Sequence, residues 1–186
     1  MSQKREYSIG SWITINSEVI VELMCKFNFD WLNIDLEHGN INVNDAQNLI
    51  RIISNNNIKP YVRITSRSID QVKVVLDAGA VGLIIPMVNS IADVNHIYEN
   101  SHYPPKGKRG MGLVRANMYG LEFDQYLDNF KNNFKLIIQI EDIKALKNID
   151  EILESKKVNG VFIGPYDLTA SMGISGKFEN DEYLNT

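Results

Sequence analysis

The chain has 186 residues, 44% hydrophobic and 23% charged, with a formal net charge of −4 at pH 7. That length suits one domain with a substantial core, and no low-complexity run or Pro/Gly/Ser linker divides it, so a single domain over 1–186 is expected. Lys and Arg cluster only between Lys106 and Arg115, no apolar run approaches the roughly 20 residues of a membrane span, and no apolar stretch follows the charged start, which argues against nucleic-acid, membrane and secretory readings, so a small-molecule partner is expected.

In chain order, short apolar strands alternate with amphipathic helices, the pattern of a parallel sheet with helical crossovers. The first strand is predicted near Ser8 to Thr14, followed by a helix capped by Asn16 or Ser17 with an apolar stripe of Ile20, Leu23, Met24 and Phe27. The lone Cys25 on its flank excludes an internal disulfide framework and fits a reducing, cytoplasmic compartment. The second strand spans Asp30 to Leu36; Asn44 opens a helix burying Leu49, Ile50 and Ile53; the third strand is Pro60 to Thr65. Ser68 and Gln71 suggest a capping box for a helix that buries Val72, Val75 and Leu76 and ends at Gly79. The fourth strand, Val81 to Ile85, precedes a helix capped by Ser90, and an irregular stretch from Tyr103 to Gly120 reads as a functional loop. Helical character returns at Phe123 to Phe130; a fifth strand follows at Lys135 to Ile140, then a helix with Ile143, Leu146, Ile149 and Leu153, and a sixth strand at Gly160 to Ile163.

Such repeats fit an open sheet or a (β/α)8 barrel, which usually needs about 250 residues. No Gly-x-Gly-x-x-Gly or phosphate-loop motif is present, so the expected fold is an incomplete (β/α)8 TIM-barrel type with about six of its eight strand-helix units.

Strand side chains alternate between faces. Leu32, Ile34 and Leu36 share one parity and Asn33, Asp35 and Glu37 the other; Val62 and Ile64 oppose Arg63; Leu136, Ile138 and Ile140 oppose Gln139 and Glu141. The apolar sets should meet the helices, which leaves charged residues facing inward near strand C-terminal ends, where barrels of this kind carry their active sites. A buried charge needs a partner or a metal, so an acidic site is expected there; a cluster in which Arg63 only neutralises Asp35 or Glu37 is the alternative. Carboxylates without nearby Cys or a second His suit a hard ion such as Mg2+ or Mn2+. Asp167 alone could equally be an N-cap for a turn from Leu168 to Met172. His96 and His102 lack such company and read as ordinary polar residues.

Asp35-Leu36-Glu37-His38-Gly39, Pro86-Met87-Val88, Gly107-Lys108-Arg109-Gly110, Gln139-Ile140-Glu141 and Gly164-Pro165-Tyr166-Asp167-Leu168 resemble, in order and spacing, the HpcH/HpaI aldolase family, from Gly10 to about Gly176. The resemblance implies a metal-dependent class II aldolase, a carbon-carbon lyase that cleaves a 4-hydroxy-2-keto acid to pyruvate and an aldehyde through a metal-bound enolate. It implies Glu141 and Asp167 as ligands of Mg2+ or Mn2+, with Co2+ able to substitute, and His38 paired with Asp35 for proton transfer, Gly39 allowing the turn. Arg63 would bind the keto oxygen and stabilise the enolate, and Glu37 would hydrogen-bond a water on the metal. Gln139 would donate to the substrate or pack, and backbone around Gly164 and Tyr166 would hold the substrate carboxylate. The partners implied are a 2-keto acid, an aldehyde and further copies of the chain in a homo-oligomer. The cations of the loop, Lys106, Lys108, Arg109 and Arg115, suggest a contact to an acidic substrate tail, with solvated charge as the alternative.

Members of that family continue for two more strands, so this chain is expected to lack the end of the barrel. Two readings besides the aldolase therefore stand: related enolate chemistry on oxaloacetate, by decarboxylation or condensation, or a truncated, non-catalytic member acting as an interaction module.

Overall fold

The computed structural model describes residues 6–65 and 69–186. Six strands appear among them in the predicted places: β1 (Gly10–Ile13), β2 (Trp31–Asp35), β3 (Lys59–Arg63), β4 (Gly82–Ile85), β5 (Lys135–Ile140) and β6 (Gly160–Ile163). The helices are α1 (Glu18–Met24), α2 (Val43–Asn55), α3 (Ile69–Ala78), α4 (Ile91–Ser101), α5 (Phe123–Asn133), α6 (Ile143–Lys147), α7 (Ile149–Glu154), α8 (Pro165–Ser171) and α9 (Asp181–Leu184). The α/β class and the parallel alternation are as expected.

The described residues form two compact units. The first holds 6–63, 74–82 and 112–134; the second holds 64–65, 69–73, 83–111 and 135–186. In the first, β1-β2-β3 lie side by side, with β1 parallel to β2 and β2 to β3. The register places Trp12 opposite Asn33 and Asp35 opposite Arg63, so the parity argument carries across neighbouring strands. Leu32, Ile34, Leu49, Ile50 and Ile53 are fully buried, each removing apolar area worth about 1.5–3 kcal/mol from water. Asn42, rather than Asn44, caps α2, and a reciprocal bond with Asp45 completes a capping box.

The direction of α1 differs from expectation. Ser17 caps it, but Val21 and Cys25 are the buried residues, while Ile20, Leu23 and Phe27 are exposed at 41%, 60% and 66%. Spacing defines a stripe but not which of two apolar stripes is covered, and here four-residue spacing from Val21 to Cys25 won.

In the second unit β5 and β6 are parallel, with Ile137 opposite Gly160 and Ile140 opposite Ile163. Ser90 caps α4 as expected, its hydroxyl accepting from Asp93 N–H at 3.3 Å. The single helix expected after β5 is two. Asn148 separates α6 from α7 while its side chain donates to Asn89 O at 2.8 Å, and the buried residues are Ala145 and Ile152, with Leu153 at 53% exposure. Of α3, whose residues 69–73 count to the second unit and 74–78 to the first, Val72, Val75 and Leu76 are buried as predicted, and Gly79 follows in left-handed backbone at φ 109°. The capping box expected at Ser68 lies outside the described residues; Gln71 Oε1 instead accepts from Thr65 N–H and Oγ1–H, each at 3.0 Å.

Candidate active site

In the first unit the acidic strand end is organised around Arg63. Its Nε donates to Asp35 Oδ1 at 2.9 Å and its Nη2 to Asp35 Oδ2 at 2.6 Å, a bidentate pair fully formed inside the protein. Glu37 Oε2 stands 3.3 Å from Arg63 Nε, and the guanidinium lies 4.7 Å over the ring of Trp12. The sequence reading missed Trp12, although its parity on β1 is the signal: register sets it opposite Asn33 on the same face as Asp35 and Arg63.

His38 is placed differently from the expected Asp35 pair. Asp35 Oδ1 accepts the backbone N–H groups of Glu37 and His38 at 3.0 and 3.2 Å, which folds the chain over at the strand end. The His38 ring is 65% exposed and its Nε2 lies 3.8 Å from Glu37 Oε2. Both carboxylate oxygens of Asp35 already face Arg63, so the ring's neighbour is Glu37. Gly39 permits the turn, since a Cβ there would stand 2.3 Å from Asp35 O.

Burial alone would raise the Asp35 carboxyl, but the hydrogen bonds from Arg63, His38 and Glu37 and the Arg63 charge outweigh it and hold the group below its ordinary value. A depressed folded value means that the unfolded chain takes up the proton first. Asp35 therefore contributes stability that is complete above its unfolded pKa of about 3.9 and is lost as pH falls through the lower folded value. Urea unfolding across acid pH should show a loss of stability below about pH 4 that is absent from Asp35→Asn. Identical acid limbs in the two proteins would contradict this.

Asn33, on the same face, is fully buried with both its side-chain oxygen and nitrogen lacking a hydrogen-bond partner. Such groups each cost about 1–3 kcal/mol. Asn33→Val is expected to raise unfolding free energy by about that amount, read from denaturant midpoints. A drop in stability would show that a water or ligand satisfies the amide in solution.

The second unit carries the other acidic group. Glu141, at the end of β5, is 4% exposed. Met87 N–H donates to its Oε1 at 2.6 Å, and Gln139 Nε2 donates to its Oε2. Gly164 packs against the carboxylate so closely that a Cβ would stand 3.0 Å from Oε2, which accounts for glycine there. Among the described residues no cationic side chain pairs with Glu141. Asp167 is exposed in the first turn of α8, whose N-cap is Gly164, so Asp167 is not itself the cap. Tyr166 is 70% exposed, its ring edge-on to Phe178 at 4.9 Å.

A divalent cation fits the chemistry of this donor set. Glu141 offers hard oxygens whose charge no cationic side chain offsets among the described residues, and its two neutral donors leave lone pairs open. No group of three or more His, Cys, Asp and Glu side chains forms a metal cage among the described residues, so two carboxylates would leave most positions to substrate and water.

Three of the four loop cations have partners of their own. Arg109 is 3% exposed with its guanidinium 4.6 Å over Tyr103, Arg115 Nη1 donates to Ala78 O at 2.7 Å, and Lys108 pairs with Glu99 at 3.3 Å on the surface. These contacts favour a structural role over a substrate contact for the two arginines. His96 is exposed on α4 and His102 Nδ1 lies 2.9 Å from Tyr98 O, ordinary roles for both.

Comparison with known proteins bears on the whole chain. The family model described as HpcH/HpaI aldolase/citrate lyase matches residues 8–186. The chain is 36% identical over 173 residues to 2-keto-3-deoxy-L-rhamnonate aldolase of Salmonella typhi, covering 92% of this chain and 64% of that protein. It is 36% identical over 176 residues to hydroxypyruvate/pyruvate aldolase of Agrobacterium fabrum, covering 94% and 66%. The chain thus spans just under two thirds of the length of these curated relatives. A crystal structure of an HpcH/HpaI aldolase/citrate lyase family protein from Burkholderia cenocepacia superposes with TM-score 0.88 at 30% identity, over 96% of this chain and 72% of that one.

Proposed function

The chain belongs to the HpcH/HpaI aldolase/citrate lyase family, and on that premise we propose that it is a metal-dependent class II aldolase that cleaves a 4-hydroxy-2-keto acid to pyruvate and an aldehyde. The observation that carries the reading is Glu141: a carboxylate 4% exposed, at a strand end, held by neutral donors and without a cationic side chain beside it among the described residues. A buried charge left this way calls for a counter-ion from outside the chain. Glu141 and Asp167 would hold Mg2+ or Mn2+, with Co2+ as a substitute, and the cation would supply Lewis-acid polarisation of the keto group.

The chain's own residues divide the remaining work. Arg63, fixed by Asp35 and stacked on Trp12, presents a permanent charge suited to an enolate oxygen. His38 is exposed and neighboured by Glu37, a position from which it can take the proton of the 4-hydroxyl and return one. Gln139 orients Glu141, and the backbone between Gly164 and Asp167, with Tyr166, would hold the substrate carboxylate. A single barrel-type domain lacking its last two strands, a homo-oligomer and a cytoplasmic location belong to the same proposal. The first is supported by the superposition over 96% of the chain.

Proton exchange at the methyl group of pyruvate tests the enolate step without knowledge of the aldehyde. With Mn2+ or Mg2+ in D2O, the purified protein is expected to exchange those protons and to stop when the metal is chelated. If it neither exchanges pyruvate protons nor decarboxylates oxaloacetate, the proposal fails; decarboxylation without aldol cleavage would favour the oxaloacetate chemistry.

A further inference from the structure

We infer that Met87 is a positioning residue for the Glu141 carboxylate, and through it for the cation; this rests on the proposed metal site. β4 ends at Ile85, Pro86 has no N–H to offer, and the first donor after the strand is Met87 N–H. Met87 adopts φ 54°, left-handed backbone that a residue with a Cβ rarely enters, and its side chain is 43% exposed, so packing of the thioether does not demand that conformation. What the conformation accomplishes is the 2.6 Å hydrogen bond from its N–H to Glu141 Oε1. With Gln139 on Oε2 and Gly164 packed against the same oxygen, the carboxylate is held at both oxygens.

The chemical nature of this clamp matters. A lysine or arginine in place of these donors would offset the charge and compete with a cation, whereas a backbone N–H and an amide orient the oxygens and leave the charge in place. Strained backbone gathers where a surrounding structure and a function both require it, and donors behind a metal ligand set its orientation.

Mn2+ binding, followed by electron paramagnetic resonance of the free ion, separates this from a role in folding alone. Glycine accepts φ near 54° and keeps the N–H, so Met87→Gly should bind Mn2+ like the parent. The β-branched replacements Met87→Val and Met87→Thr resist the left-handed region and should bind roughly 10–100-fold more weakly while retaining native circular dichroism. Parent-like affinity in a folded β-branched variant overturns the inference. A measurement on the metal-free parent needs no variant of Met87: its amide proton resonance should lie downfield and move upfield in Glu141→Ala, and an unmoved resonance overturns the contact. Absence of Mn2+ binding by the parent would instead overturn the metal reading, with the amide shift still reporting on the clamp.

Discussion

Glu141→Gln is expected to silence metal-dependent exchange of the pyruvate methyl protons while the protein stays folded. The substitution keeps the side-chain shape but removes the charge, and its new amide N–H2 must face either Met87 N–H or Gln139 Nε2, both donors. Loss of an orienting hydrogen bond alone weakens metal sites by roughly 10–100-fold, so losing the ligand charge as well should exceed that range. Asp167→Ala should lose exchange in parallel if both carboxylates hold the ion, and its exposure at the start of α8 makes a large stability change unexpected. Exchange by Glu141→Gln within tenfold of the parent, at saturating Mn2+, would remove Glu141 from the metal site.

The second large effect concerns stability. Arg63→Leu should lower the unfolding free energy by about 3–5 kcal/mol, because it leaves Asp35, 1% exposed, charged and without its counter-ion. That is a large part of the roughly 5–15 kcal/mol that holds a typical domain folded. The paired change Asp35→Asn with Arg63→Leu should recover part of the loss, since neither charge is then left behind. Arg63→Lys should not rescue fully, because an ammonium cannot make the bidentate pair to Asp35 and the stack on Trp12 together. Urea unfolding measures all three; a loss below about 1 kcal/mol for Arg63→Leu would mean that the pair is solvated in solution.

Much of this was legible in the residues. β5 and β6 lie at the predicted residues, and alternation placed Asn33, Asp35, Glu37, Arg63, Gln139 and Glu141 on the parity opposite the apolar one; Glu37 is half-buried and the other five are buried. Burial of a polar residue at a strand end is a local signal, since the strand period and the neighbouring Leu, Ile and Val residues decide it. The same local logic correctly named Ser90 and Gly79 as helix boundaries and narrowed the first cap to Asn16 or Ser17, of which Ser17 is the cap.

Other features were not legible, each for a reason of range. Asp35 has a neighbour three residues on and another 28 residues away; the family resemblance pointed to His38, while parity left the partner of Arg63 open between Asp35 and Glu37. The fold chose Arg63, because β2 and β3 run parallel in a register that sets Asp35 opposite Arg63, while the turn after β2 sends the His38 ring toward solvent. Trp12 and Met87 enter the same way, one through strand register and one through a backbone dihedral that no residue type announces. By itself, then, the sequence determined the alternation of strands and helices, the parity of the inward polar residues and the family, all consequences of short-range periodicity and motif spacing. Only the tertiary structure decided which acid holds Arg63, which stripe of α1 is covered and what steadies Glu141, because each depends on pairing between segments far apart in the chain.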